Sequence, residues 1–229
     1  LLAVNAGAAR RVDFDIPGTD GGFAGGVWTI RPTSPLPAVT ERIILDGATQ
    51  TAARGDTNAA GPEIVVDGTT SGPDVDGLKV DGTSSSTVSD LVVTNFDGAG
   101  IRVTGGIQAK VHGCFLGIDA SGARAAGNRH GIVLVGGHSH HVGDADEGLG
   151  NVISGNDEGG IRVSGAAYVQ IRNNLVGTDA TGRADIGNGL DGVQLVDGAT
   201  WSQLGGEDPG YGNVVSGNDR NGIWLQGTD

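Results

Sequence analysis

The chain contains no methionine and a single cysteine, Cys114, among its 229 residues. One cysteine excludes a disulfide bond within the chain. Aromatic residues make up only 4% of the sequence, so the core has to be filled by small and β-branched side chains. No apolar run reaches the roughly 20 residues that a membrane-spanning helix needs, so we expect no membrane span.

Positive charge is also scarce. The chain has 14 Lys and Arg against 27 Asp and Glu, which gives a formal net charge of −13. Nucleic-acid-binding proteins neutralise phosphates with clustered Lys and Arg, so we expect no nucleic-acid partner. Many aspartates precede a glycine, as Asp46, Asp67, Asp97 and Asp197 do, and this pairing is typical of turns.

Glycine is abundant, at 44 residues, and its positions belong to a repeat. Residues 150–157 (GNVISGND) return as residues 212–219 (GNVVSGND), 62 positions later. Residues 117–122 (GIDASG) return as residues 177–182 (GTDATG), 60 positions later. Self-similarity at a fixed period indicates stacked structural units.

A smaller unit lies inside this repeat. A glycine followed by an apolar, a variable and an apolar residue recurs six times, spaced 23 to 32 residues apart. Alternation with period two predicts a short strand with one buried face. The first predicted inward stack is Leu78, Ile101, Ile132, Ile161, Val193 and Ile223. The second is Val80, Val103, Leu134, Val163, Leu195 and Leu225.

Two further apolar signals follow each glycine. The first lies eleven or twelve residues later, at Val88, Val111, Val142, Ile171 and Leu204. The second is a short pair or triplet, at 91–93, 115–116, 152–153, 175–176 and 214–215. Three short strands per unit predict an all-β parallel β-helix of about seven coils. Earlier strands are expected at residues 42–45 and 63–66, and an edge strand at residues 27–30.

The repeated motifs GNVISGN, GIRV and GTDATG resemble the right-handed parallel β-helix repeats of bacterial secreted and surface proteins, a pectate-lyase-like fold. The resemblance implies a bacterial, exported chain at the cell surface or outside the cell. We expect residues 1–40 to form an N-terminal cap and residues 41–229 to form one domain of coils, truncated at its C-terminal end. Open ends of such a solenoid would allow self-association.

The outward residues predict a binding face. One ladder, the set of candidate ligand-binding residues, contains Lys79, Arg102, Arg162, Gln194 and Trp224, with Val133 between the arginines. A second contains Lys110, His141, Gln170 and Gln203. Arginine pairs with carboxylates, so these faces suit a polysaccharide or cell-surface glycan.

Two functions remain open from the sequence. The first is a non-catalytic structural or adhesive module that contacts polysaccharide. The second is a fragment of a polysaccharide lyase or glycoside hydrolase that acts on an anionic glycan along Arg102 and Arg162. Glycoside hydrolysis needs two facing carboxylates, and neither ladder contains one, so no catalytic residue is assigned.

Histidines break the repeat at one stretch. His138, His140 and His141, with Asp144 and Asp146 after them, are weak candidates for a zinc or copper site. Alternation places His138 and His140 on one face and His141 on the other, which argues against a shared metal. We therefore expect no cofactor; calcium stays open without a specific motif.

Two further residue types have structural explanations. Five asparagines beside the strands are expected to stack as internal ladders that bond the backbone at the bends. They are Asn151, Asn156, Asn174, Asn213 and Asn218. Cys114 occupies the position of Asn174 in the preceding repeat, which predicts a small buried thiol and not a nucleophile.

Overall fold

The computed structural model describes residues 10–144 and 149–227, and in this part the chain is almost entirely β-structure. Long parallel sheets of seven, eight and six strands dominate it, here called sheets A, B and C. One α-helix, α1 (Ala48–Arg54), connects two of the strands. No helix in the described ranges is long and apolar enough to cross a membrane.

The strands are short. In chain order they are β1 (Arg11–Asp13), β2 (Phe23–Ala24), β3 (Val27–Ile30), β4 (Ile44–Asp46), β5 (Ile64–Asp67), β6 (Leu78–Asp81), β7 (Thr87–Ser89), β8 (Leu91–Thr94), β9 (Ala99–Thr104), β10 (Lys110–His112), β11 (Phe115–Leu116), β12 (His130–Val135), β13 (His141–Val142), β14 (Val152–Ile153), β15 (Ile161–Ser164), β16 (Gln170–Ile171), β17 (Leu175–Val176), β18 (Val193–Val196), β19 (Gln203–Leu204), β20 (Val214–Val215) and β21 (Ile223–Leu225).

From β6 onward the chain visits the sheets in rotation, C then A then B. Each sheet therefore gains one strand per turn: sheet A is ordered β1-β4-β7-β10-β13-β16-β19 and sheet C β21-β18-β15-β12-β9-β6. Sheet B runs β2-β3-β5-β8-β11-β14-β17-β20, and only β2 in it is antiparallel to its neighbour. This arrangement is that of a β-helix-like solenoid, and it confirms the three-strand unit that the sequence predicts.

Both predicted inward stacks of sheet C are confirmed. Leu78 pairs with Ile101 and Ile101 with Ile132, and the register continues to Ile223. Members from Leu78 to Leu195 are buried, whereas Ile223 and Leu225 on the last strand are exposed. The inward residues of sheets A and B complete one continuous core of aliphatic side chains.

The asparagine ladders are also confirmed, and they hold the corners on both sides of sheet B. At the A-to-B corner the ladder runs Cys114, Asn151, Asn174 and Asn213, and each asparagine Oδ1 accepts the backbone N–H of the preceding member. At the B-to-C corner the ladder runs Asn128, Asn156, Asn188 and Asn218, and the sequence did not predict Asn128 and Asn188 as members. Their Nδ2 groups donate to strand carbonyls, so these buried bends stay fully bonded.

The N-terminal part differs from expectation. β3 is not an edge strand, because it pairs with β5 on one side and with the β2 hairpin partner on the other. Helix α1 was not predicted. Gln50 on this helix is buried, and its side-chain amide both donates to and accepts from the backbone of Ile16. This pair ties the N-terminal segment to the first turn.

A second apolar layer lies outside sheet B. Val92, Phe115 and Val152 point away from the core and pack with Ile118, under the long loops at 118–128 and 178–188. Asp119 and Asp179 shape these loops, because each carboxylate accepts backbone N–H groups four and five residues later. Both aspartates therefore have a structural role in these turns.

Candidate functional site

The candidate ladder on sheet C has the predicted register. Lys79 lies beside Arg102, Arg162 beside Gln194, and Gln194 beside Trp224 on the last strand. Two positions are less open than expected. Gln194 is 4% exposed and Val133 is buried between its arginine neighbours, so the prediction of an exposed row is wrong there.

The cations of this ladder are neutralised by carboxylates from the turns. Arg102 donates to both carboxylate oxygens of Asp76, at 2.7 and 3.2 Å, and Lys79 lies 3.8 Å from the same group. Although burial acts to raise it, the pKa of Asp76 is lowered by the hydrogen bonds from Arg102 and from the Ala99 N–H. Asp76 and Arg102 therefore form a charged ion pair at this end of sheet C.

The other arginine is engaged as well. Arg162 lies 3.2 Å from Asp197 and donates to Gln194 Oε1 at 2.9 Å, while Gln194 Nε2 donates to Asp191. Sheet C thus presents a row of mutually satisfied polar groups. The strand pattern predicted no acid on this face, because Asp76 and Asp197 lie in turns and not on strands.

The histidine stretch does not follow strand alternation. His138 is exposed and His140 is buried, so these two side chains do not share a face as expected. Ser139 lies between them with a φ of 58°, in the left-handed region, so the backbone is not extended there and strict alternation does not apply. His141 points outward on β13.

No metal cluster is present in the part of the chain that the structure describes: three or more His, Cys, Asp or Glu side chains do not converge anywhere in it. His140 is committed elsewhere, because its Nδ1 accepts the Ala109 N–H at 3.2 Å inside the core. Asp144 follows β13, and Asp146 lies outside the described residues.

Burial of His140 makes stability depend on pH. Desolvation lowers the pKa of His140 below its ordinary value of 6.5. The unfolded chain then binds a proton that the folded chain resists, so stability is full above pH 6.5 and falls as pH drops below it. We expect His140→Asn, whose Oδ1 replaces Nδ1 as acceptor, to flatten this fall.

Urea unfolding between pH 5 and 8 measures this effect. Burial also lowers the pKa of His130 and His141, so His140→Asn should lose only part of the dependence of the unfolding free energy on pH. An unchanged slope in His140→Asn would show that His140 is not the group that resists protonation.

Cys114 is buried, as predicted, and burial raises its pKa far above that of a free thiol. Its Sγ lies 3.3 Å from the carbonyl oxygen of His112. A thiol that resists ionisation is a poor nucleophile, so Cys114 acts as a small core residue at the start of the asparagine ladder.

The corner between sheets C and A carries an unusual backbone column. On five successive turns one corner residue, which lies two positions before the strand of sheet A, has a φ between 54° and 58°. The column consists of Ser85, Gln108, Ser139, Tyr168 and Trp201. Residues other than glycine, asparagine and aspartate rarely adopt this conformation, and bulky ones are the least favoured.

Two of these corner positions hold exposed aromatic rings. Tyr168 is 55% exposed and Trp201 is 72% exposed. Their rings are nearly parallel, at 14°, with centroids 6.4 Å apart. The Tyr168 N–H donates to the Thr200 carbonyl, which fixes the two turns against each other. Both the left-handed backbone and the exposed apolar surface oppose stability, and such features concentrate at functional sites.

Polar groups flank the two rings on sheet A. Gln170 and Gln203 follow Tyr168 and Trp201 by two residues and pair in register. Arg172 donates to Gln203 Oε1 at 2.9 Å and covers the ring of Tyr211 at 4.2 Å from its centroid. We call Tyr168, Gln170, Trp201 and Gln203 the aromatic stripe.

Gln170 and Gln203 were predicted from the sequence as outward residues, whereas Tyr168 and Trp201 were not. A signal was present: the corner residue lies eight positions after the repeat glycine in four turns and nine after it in the fifth. The extra residue in the fifth turn hides the pairing of Tyr168 with Trp201. Exposure of the rings could not be read from this offset.

The chain was compared with known proteins by sequence and by fold. No protein-family model, no curated protein and no solved structure matched it.

Proposed function

We propose that this chain is a non-catalytic module that binds polysaccharide along the aromatic stripe. The observation that carries the proposal is the pair of exposed, nearly parallel rings of Tyr168 and Trp201, held in a disfavoured backbone conformation. Neither ring belongs to the buried core, and serine occupies the same corner at Ser85 and Ser139. An external partner would account for two exposed rings at this place.

The chemistry of the stripe fits a sugar polymer. Aromatic faces pack against the apolar C–H face of a pyranose ring. Tyrosine and tryptophan have only two side-chain torsions, so they lose little conformational freedom when they bind. Each glutamine amide offers a donor and an acceptor for sugar hydroxyls. The stripe lies on an outer corner and not in a deep cleft, and a surface of this shape suits a long ligand better than a small enclosed one.

We further propose that the solenoid is a right-handed parallel β-helix of about seven coils. Crossovers between parallel strands of one sheet are right-handed in about 98% of cases. The seven strands of sheet A support the coil number. The proposal includes an exported chain at the cell surface or outside the cell, where polysaccharides are met; the motif resemblance supports this location.

The test replaces both rings with the residue that the corner itself uses. In Tyr168→Ser/Trp201→Ser, serine adopts the backbone conformation already seen at Ser85 and Ser139, so folding should be retained. Truncating an interface tryptophan or tyrosine costs about 2 kcal/mol or more, or roughly 30-fold in affinity. Affinity electrophoresis in gels that contain neutral or acidic polysaccharides measures the retardation.

Trp224→Ser is the matched control, because Trp224 lies on sheet C and belongs to the other candidate ladder. We expect the wild type and Trp224→Ser to be retarded and the double variant to migrate freely. Equal retardation of all three, or loss of retardation in Trp224→Ser alone, contradicts the stripe. Release of reducing ends or unsaturated sugars from any retained polymer contradicts a non-catalytic role.

A further inference from the structure

We propose that a pocket lined by Arg42, Lys110 and His141 binds the acidic group, carboxylate or sulfate, of the polysaccharide that the aromatic stripe holds. This inference rests on the proposed function and adds the class of ligand, an acidic polysaccharide. The pocket opens on the outer face of sheet A beside the corner column.

The lining of the pocket is cationic and rich in hydrogen-bond donors. Besides Arg42, Lys110 and His141 it contains two hydroxyls and one amide, from Ser85, Thr87 and Gln108. None of the described residues that line it is an aspartate or a glutamate. In a chain with a net charge of −13, a pocket of this composition is a local exception to the overall charge.

The positive charges of Arg42 and Lys110 form no ion pair with the described residues. Arg42 and Lys110 are exposed, and neither lies within 4.0 Å of a carboxylate of any described residue. On sheet C, by contrast, Arg102 and Arg162 are each paired with an aspartate. A cation without a carboxylate partner can bind an external anion without breaking an ion pair first.

Arg42 is also held in position. Its Nε donates to the Ser85 carbonyl at 3.2 Å, which directs the guanidinium toward the pocket and leaves its terminal N–H groups for a ligand. Two N–H groups of a guanidinium match the two oxygens of a carboxylate or sulfate group. Burial, with the neighbouring Lys110 charge, lowers the pKa of His141, so Arg42 and Lys110 carry the positive charge at neutral pH.

The pocket and the aromatic stripe form one continuous surface. Lys110 pairs in register with His141, and His141 with Gln170 of the stripe. Neighbouring parallel strands lie about 4.8 Å apart, so the pocket adjoins the stripe without a gap. A polymer that runs parallel to the solenoid axis can place a sugar ring on Tyr168 and Trp201 and an acidic substituent between Arg42 and Lys110.

The test combines three polymers with two charge variants in isothermal titration calorimetry. The polymers are polygalacturonate, which carries carboxylates, dextran sulfate, which carries sulfates, and neutral dextran. Arg42→Gln/Lys110→Gln removes the pocket charges. Arg124→Gln/Arg183→Gln is the control, because these two exposed arginines lie in the long loops outside sheet B. This variant loses two positive charges, as the pocket variant does.

We expect at least one acidic polymer to bind the wild type about tenfold more tightly than dextran, as two exposed ion pairs of about 0.7 kcal/mol each would give. The pocket variant should lose this preference and the loop variant should keep it. Comparing the affinities for polygalacturonate and dextran sulfate shows whether the pocket prefers carboxylate or sulfate.

The two proposals fail separately. If the pocket variant binds acidic polymers as the wild type does, while Tyr168→Ser/Trp201→Ser binds none, the stripe stands and the acidic subsite is overturned. If the ring variant binds as the wild type does, the proposed function falls. If single-stranded DNA displaces the acidic polymer at equal charge concentration, the pocket binds polyanions in general, and the assignment to polysaccharide is overturned.

Discussion

Replacing Asn156 with alanine is expected to lower the free energy of unfolding by about 3 to 5 kcal/mol. Asn156 is buried in the B-to-C corner, where its Oδ1 accepts the Asn128 N–H and its Nδ2 donates to the Leu116 carbonyl and to Asn188 Oδ1. Truncation leaves these groups unpaired where water does not reach them. The cost of an unmet buried hydrogen bond exceeds the gain from a met one.

Asn218→Ala is the matched control, because Asn218 is the next ladder residue after Asn188 but is only half-buried. Because Asn218 itself is partly exposed, truncating it opens the corner to solvent, so we expect a loss of about 1 kcal/mol or less. Urea unfolding followed by circular dichroism gives both values. Equal losses in the two variants would mean that burial does not set the strength of the ladder.

The second large effect is expected at Gly150. A Cβ on this glycine would overlap the carbonyl oxygen of Asn173 on the neighbouring turn, and a backbone atom cannot move aside by changing rotamer. Gly150→Ala should therefore cost about 3 kcal/mol or more, as other steric overlaps in packed interiors do.

Gly212 provides the internal control. It is the same residue of the GNV motif 62 positions later, and a Cβ there meets no atom within 4 Å. Gly212→Ala should change stability by less than about 0.5 kcal/mol, as surface substitutions usually do. Thermal unfolding of the two variants side by side measures the difference, and a loss of similar size at both positions would contradict close stacking as the reason for Gly150.

Period-two alternation was enough to predict the stacks of sheet C, since a strand with one buried face has one possible set of inward residues. The asparagine ladders could be predicted from the repeat. An asparagine that recurs beside each strand is placed to hydrogen-bond the backbone groups of the bend. The exposed ends of the stacks, Ile223 and Leu225, depend on what lies next to the last strand and could not be read from the pattern.

The candidate site was harder to predict for two physical reasons. Arg102 and Asp76 are 26 residues apart, and their pairing depends on how one turn stacks on the next. The left-handed conformation of Ser139 likewise placed His140 in the core, although strict alternation predicts that His138 and His140 share a face. Corner geometry, and not strand pattern, therefore decides which polar and aromatic side chains are available to a ligand.

Sheet C and the aromatic stripe illustrate how internal pairing separates two faces of similar composition. Both carry glutamine and tryptophan, and an arginine bonds to a glutamine on each, Arg162 on sheet C and Arg172 beside the stripe. On sheet C, Gln194 is buried and bonds Arg162 and Asp191, so a ligand would have to break existing contacts. On the stripe, the rings of Tyr168 and Trp201 contact each other but leave most of their surface to solvent, so binding would remove apolar surface from water.

The most direct test of polysaccharide binding at the stripe is the fluorescence of its tryptophan. The chain has three tryptophans: Trp28 is 2% exposed, Trp224 is half-buried on sheet C, and Trp201 is open to solvent. Titration with a polysaccharide that retards the wild type should shift the emission to shorter wavelength in the wild type and in Trp224→Phe, and should leave Trp201→Phe unshifted. A shift that persists in Trp201→Phe and disappears in Trp224→Phe would place the ligand on sheet C and contradict the account.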